Sequence, residues 1–142
     1  MKKFVLIILF VFFALSAYSA DWVGINEKTY IDKDTLRTYV DEYSHSHSEQ
    51  IVFWRKSLND GSEYFKNIEK EYNKKVWYTM VQEIANTKNR TMCIKSIAYY
   101  DLKGNPFFNS DIRDYALQWQ SIIPNSYGEF IYNSLTNIYR AR

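Results

Sequence analysis

Cysteine is almost absent from this chain: Cys93 stands alone, so no intramolecular disulfide can form and the fold must hold without one. Glycine and proline are scarce too, four and two among 142 residues. That leaves no Gly-rich loop to cradle a phosphate, no nucleophile elbow and no linker composition between domains. An HExxH metalloprotease motif is also missing. Long apolar stretches are limited to one, residues 4–15, which falls short of the roughly 18 residues that a spanning helix needs. Neither sign of charge dominates, with 18 basic and 16 acidic residues and no block of five like charges. The phosphate attraction behind nucleic-acid binding therefore has no source, which excludes nucleic acid as a partner class. No cofactor is expected, and the chain is not read as an enzyme.

The apolar stretch follows Lys2 and Lys3 and gives way to small residues before Asp21. This is the pattern of a secretory signal peptide at residues 1–19 rather than an anchor. Ala17 and Ser19 place small side chains three and one residues before a cut after Ser19, with a cut after Ala20 as second choice. No cysteine lies near the cut, so a lipidated product is excluded and the mature chain is expected in the periplasm, at the cell surface or secreted. Lys2 and Lys3 leave with the leader, and sixteen charges of each sign remain. Residues 20–142 retain twelve Tyr, five Phe and four Trp, an aromatic load that marks a single folded domain.

Along that domain most segments read as strands. "DWVGI" (21–25) and "KTYID" (28–32) flank a turn and suit a hairpin, and "QIVFWRKS" (50–57) is a strand apolar on both faces at its centre. "DKDTLRTYVDEY" between them is polar and ambiguous. In "NDGSEYFKNIEKEYNKK", Asp60 and Glu63 have capping-box spacing, Phe65, Ile68 and Tyr72 recur at helical spacing, and Glu71 and Lys75 make an i,i+4 pair. A short amphipathic helix is expected there. "VWYTMVQEI" (76–84) and "TMCIKSIAYYD" (91–101) form the clearest hairpin, joined by "ANTKNR". Gly104-Asn105 makes a turn before a last strand from Phe107, and Pro106 confines that strand to an edge or a start.

The C-terminal segment supplies a second helix. Ser126 and Glu129 form a capping box after Pro124, and Tyr127, Phe130, Ile131, Leu135 and Ile138 make one apolar stripe over residues 127–139. Burying four or five such side chains contributes roughly 1.5 to 3 kcal/mol each. The expected architecture is α+β: a single antiparallel sheet of about five or six strands, with this helix packed on it and the short additional helix nearby.

The order of motifs resembles the surface-adhesin protein E family of small secreted bacterial proteins. The residues that carry it are Trp22 after the leader, Tyr30-Ile31-Asp32 followed by Thr35, an Ile/Val-x-Trp strand, the strand holding Cys93, Tyr100-Asp101 with Gly104, and Trp119, Ile122, Pro124, Ser126 and Glu129. Family members often bear a second cysteine in the last helix, which this chain lacks, and Asn125 stands in the place of the glycine in the usual Pro-Gly-Ser. The resemblance implies a small antiparallel sheet with a C-terminal helix, often a homodimer, exposed at a bacterial surface. It also implies a protein partner of the host extracellular matrix type, since a family member binds vitronectin, laminin and plasminogen. The matching positions Trp22, Tyr30, Asp32, Gly104, Trp119, Pro124, Ser126 and Glu129 are structural ones.

Trp54, Arg55, Lys56 and Lys95 lie in strands near an aromatic surface that one covering helix leaves open, and they are the candidate protein-binding residues. His45 and His47 alternate along an extended stretch and with Glu49 or Asp41 could hold zinc or copper, although a solvated loop explains them more simply. Cys93 reads as a buried small hydrophobe rather than a nucleophile. Asp32/Asp34, Asp41/Glu42 and Asp111/Asp114 suit turns and caps better than acid-base pairs. Asn89-Arg90-Thr91 fits a glycosylation acceptor but is read as incidental. The alternatives to an adhesin-like binding module are a periplasmic metal-binding protein and a small envelope enzyme.

Overall fold

A computed structural model describes residues 20–142; the leader assigned to residues 1–19 lies outside the described residues. Among the described residues eight strands form one antiparallel sheet: β1 (Trp22–Gly24), β2 (Thr29–Asp32), β3 (Arg37–Val40), β4 (Ser46–Leu58), β5 (Val76–Asn86), β6 (Thr91–Asp101), β7 (Pro106–Asp111) and β8 (Gln120–Ser121). Two helices among these residues, α1 (Glu63–Tyr72) and α2 (Tyr127–Arg140), complete the α+β architecture. No described helix is long and apolar enough to cross a membrane. The order across the sheet is β1-β2-β4-β5-β6-β7, with β3 beside the first half of β4 and β8 beside the start of β6. Each of the long strands β4, β5 and β6 meets its sequence neighbour directly, so the sheet is a meander whose register the turns set.

Alternation sorts the side chains onto two faces. Ile51 and Phe53 of β4, Ile31 of β2 and Ala85 of β5 point toward α2, where Ile131, Tyr132 and Leu135 bury against them. Phe53 and Leu135 are fully buried. α1 covers the other end of the same face with Phe65 and Ile68 against Val76, Tyr99 and Phe107. Both helices thus lie on one face, and among the described residues the opposite face has none.

Local chemistry explains the helix ends. The Ser126 hydroxyl accepts from the Glu129 amide at 3.2 Å, while the Glu129 carboxylate reaches back to the Asn125 amide at 2.8 Å. Asn125 sits at φ 61°, a left-handed position that asparagine tolerates. At α1 the expected cap is displaced by two residues. Ser62 is the N-cap, and Asp60 instead accepts from the Ser62 amide at 2.9 Å, bending the chain before the helix begins. Lys75 pairs with Glu69 at 3.0 Å rather than with Glu71, because the helix ends at Tyr72 and the chain turns back through left-handed Asn73. The ambiguous segment resolves into a 3-10 turn at Lys33–Thr35, capped by Asp32, and strand β3. Asp32 accepts from the Asp34 amide at 3.1 Å, and Thr35 takes the Trp54 amide at 3.3 Å.

Candidate protein-binding face

The helix-free face has two halves. Over one half the chain folds back on itself: Tyr39 of β3 and Leu117 close over Val52, Ile84 and Cys93. A bulge sets this closure, because the β5–β6 pairing passes from Gln82↔Ser96 to Glu83↔Ile94 and leaves Lys95 as the extra residue. The Lys95 Nζ donates to the Ile112 carbonyl at 2.7 Å and to Asp114 at 2.8 Å. Tyr39 donates its hydroxyl to the same Asp114 carboxylate. Glu42 pairs with Arg113 at 2.9 Å and takes the Asp114 amide at 3.1 Å, which ties the β3–β4 turn to the segment after β7. Burial works against the Asp114 charge, but Lys95 and Tyr39 overcome it and hold the carboxyl below its ordinary range.

His45 and His47 belong to the same end. Both ring systems reach Asp41 Oδ2, at 3.3 Å and 3.0 Å, and Asp41 Oδ1 accepts the Tyr43 and His45 amides. The His47 hydrogen bond, reinforced by these amides, lowers the Asp41 carboxyl to about 2. Glu49 does not join them; its main-chain carbonyl takes the Thr87 amide. Among the described residues no group of three or more His, Cys, Asp or Glu is arranged to hold a metal ion. Cys93 lies beneath Tyr39, and burial, with the Glu83 charge, pushes its thiol up to about 12. That is the opposite of what a thiolate nucleophile requires.

The second half of this face is uncovered. Tyr30, Lys56, Met80 and Ala98 lie side by side across β2, β4, β5 and β6, with Leu58, Tyr78 and Tyr100 in the row beside them. Trp54 and Gln82 form the row on the other side. Tyr78 and Tyr100 stack with centroids 4.5 Å apart, and Trp77 meets Tyr78 edge-on at 5.2 Å. The Lys56 ammonium lies 4.2 Å from the Tyr78 ring centroid and within 6 Å of Trp22 and Trp77. Trp77 is 45% exposed and rests on the Gly104 turn, where the glycine's φ of 79° favours a residue without a side chain. One cation held by several aromatic rings on an uncovered sheet is a surface suited to a protein partner.

The four candidate residues do not converge. Trp54 and Lys56 sit on the open face, at its centre. Arg55 points to the helix-bearing face, where Glu83 takes its Nε at 2.8 Å and its Nη2 at 3.0 Å. Lys95 is engaged in the Asp114 network. The rings that complete the patch, Tyr78 and Tyr100, are opposite one another in the β5–β6 hairpin, a pairing that the register of "VWYTMVQEI" against "TMCIKSIAYYD" sets. Of the motif positions, Trp22 borders the patch, Tyr30 lies in it, and Asp32, Gly104, Ser126 and Glu129 hold turns and caps. Trp119 is 38% exposed.

Comparison with known proteins places this fold. No family model matches the chain, and no curated protein matches it in sequence. In structure it is similar to protein E of Haemophilus influenzae, with a TM-score of 0.53 and 16% identity over 87% of this chain and 86% of that one. A second crystal form of the same protein gives a TM-score of 0.53 at 15% identity, covering 87% and 90%. Its selenomethionine form gives 0.52 at 15%, covering 86% and 88%. The likeness is one of fold.

Proposed function

We propose that this chain is an exported, non-enzymatic binding module that contacts a protein partner through the uncovered half of its sheet. The observation that carries this reading is the Lys56-centred patch of Trp22, Trp77, Tyr78 and Tyr100 on a face without a helix. Exposed aromatic surface of this kind is enriched at interfaces, where a few aromatic and cationic anchors hold most of the binding free energy. The resemblance to the surface-adhesin protein E family and the shared fold support a partner of the host extracellular-matrix type. The sequence pattern of residues 1–19 supports export. The same resemblance supports a homodimer.

The test is binding of mature residues 20–142 to immobilised vitronectin, laminin and plasminogen at low and physiological salt, with sedimentation run in parallel. Saturable binding that survives physiological salt is expected. The double variant Lys56→Glu/Tyr78→Ala should weaken it by about 2 kcal/mol or more, roughly thirtyfold, the scale of a hot-spot loss. A control, Lys66→Glu on the exposed face of α1, should leave it unchanged. Absence of binding to all three proteins, or equal binding by the patch variant, overturns the proposal.

A further inference from the structure

The helix-bearing face is not fully covered. α2 seals one part of it and α1 another, each over its own core cluster. Between them lies a cleft of about 420 Å³. That volume is in the range of small-molecule sites and far exceeds what one water needs. Val81, Ile94 and Ile97 give the cleft an aliphatic floor, and Tyr64 of α1 and Tyr127 of α2 line it from the helices. Tyr64, Ile94 and Tyr127 are 47%, 41% and 54% exposed, so the cleft gathers apolar surface that folding leaves in water.

Arg55 supplies the polar element. A guanidinium carries five N–H donors. Nε and Nη2 each give one to Glu83, and Nη1 gives one to the Ser57 hydroxyl at 2.9 Å. Two donors remain, one on Nη1 and one on Nη2, on a side chain only 15% exposed that lines the cleft. Formal charge around them cancels, since Arg55 and Lys28 face Glu83 and Asp60. A ligand of either charge would lose hydration without meeting a net opposite charge, whereas a neutral carbonyl loses far less.

We propose that this cleft binds a small uncharged molecule with an apolar body and a carbonyl acceptor, such as an acyl amide. Its oxygen accepts from the two free N–H groups of Arg55, and its chain lies on Val81, Ile94 and Ile97 beside the two tyrosines. The inference does not depend on the open face.

The experiment is titration of mature residues 20–142 with octanamide, octanoate and octylammonium, followed by amide chemical shifts and calorimetry. Octanamide should bind saturably at concentrations up to about 1 mM, with the largest shifts along Ile94 and Ile97. The two charged analogues should bind at least about tenfold more weakly. Ile94→Trp fills the cleft from an exposed position and should weaken octanamide at least about tenfold. Arg55→Met/Glu83→Leu removes the ion pair as a unit, preserving the fold, and should weaken octanamide at least about tenfold, because the two free N–H donors go with it. No saturable binding, unchanged binding by Ile94→Trp, or an equal or greater affinity for octanoate each overturns the proposal.

Discussion

Arg55 shows how much one side chain's direction decides. Burial disfavours its charge, yet Glu83 on the neighbouring strand more than compensates and raises the guanidinium above its ordinary value. Removing one partner strands the other charge in the interior, so Arg55→Met alone should destabilise the fold by about 3 to 5 kcal/mol in urea denaturation. The double variant with Glu83→Leu should recover most of that loss; a double variant as unstable as the single one would show that the pair is not the cause. Cys93 makes a second residue-scale prediction. A thiol pushed up to about 12 beneath Tyr39 should resist alkylation in the native protein at pH 8 and react at once in denaturant. Rapid native labelling would contradict the burial. The sequence made the burial of Cys93 legible through residue type alone, but not the side of the sheet that Arg55 takes: both faces of "VFWRK" are apolar or amphipathic, so alternation has no polar face to fix its phase. His45 and His47 were visible as a pair facing carboxylates. That the carboxylate is Asp41 rather than Glu49 follows from left-handed Ser44, which folds the turn back, and no residue type announces it.

At the scale of elements, the strongest sequence signals became long, regular structures. The β5–β6 hairpin and α2 were legible because each repeats its period many times and carries its own turn or cap. Helix α2 rests on the Ser126 cap, whose replacement by alanine should cost about 1 kcal/mol. Leu135, fully buried on the sheet-facing side of the same helix, should cost about 2 to 5 kcal/mol when cut to alanine. Both are read as shifts in the urea midpoint with an unchanged slope, and an effect of Leu135→Ala below that of Ser126→Ala would mean that α2 is not packed as described. Shorter elements escaped for the converse reason. A two-residue strand such as β8 has no period, and its pairing with Thr91 and Met92 is a tertiary event. The Lys95 bulge is likewise invisible in the sequence, since the extra residue is defined only against β5. This bulge nevertheless turns a lysine expected on a binding surface into the anchor of the closed half of the face.

For the whole molecule, the same contacts fix the pH range over which the fold is firm. Asp41, Asp60, Glu69, Asp101 and Asp114 all have carboxyls held below their ordinary values. A depressed acid binds its proton more readily in the unfolded chain, so its contribution is complete above the ordinary carboxylate range and is lost as pH falls toward the folded value. Asp32 opposes them, because burial raises its carboxyl and protonation there favours the fold. Five against one makes the protein acid-labile, with the loss falling between about pH 4 and the value of about 2 at Asp41. The alkaline limit has a different origin. Burial raises Tyr39, Tyr64, Tyr78, Tyr99 and Cys93, whose contributions are complete below their unfolded values and fade as pH rises through them. The urea midpoint should therefore be level from about pH 4 to 8, and fall on both sides. Asp41→Asn should remove part of the acid fall and change the alkaline side far less, because Asp41 holds the His45–His47 turn and its charge is only a minor cause of the raised Tyr39 hydroxyl, behind burial and Asp114. Amide exchange should place the earliest acid opening at residues 41–47, the turn that joins β3 to β4. An acid profile identical in Asp41→Asn and the parent would assign that opening to Asp114 and its lysine instead.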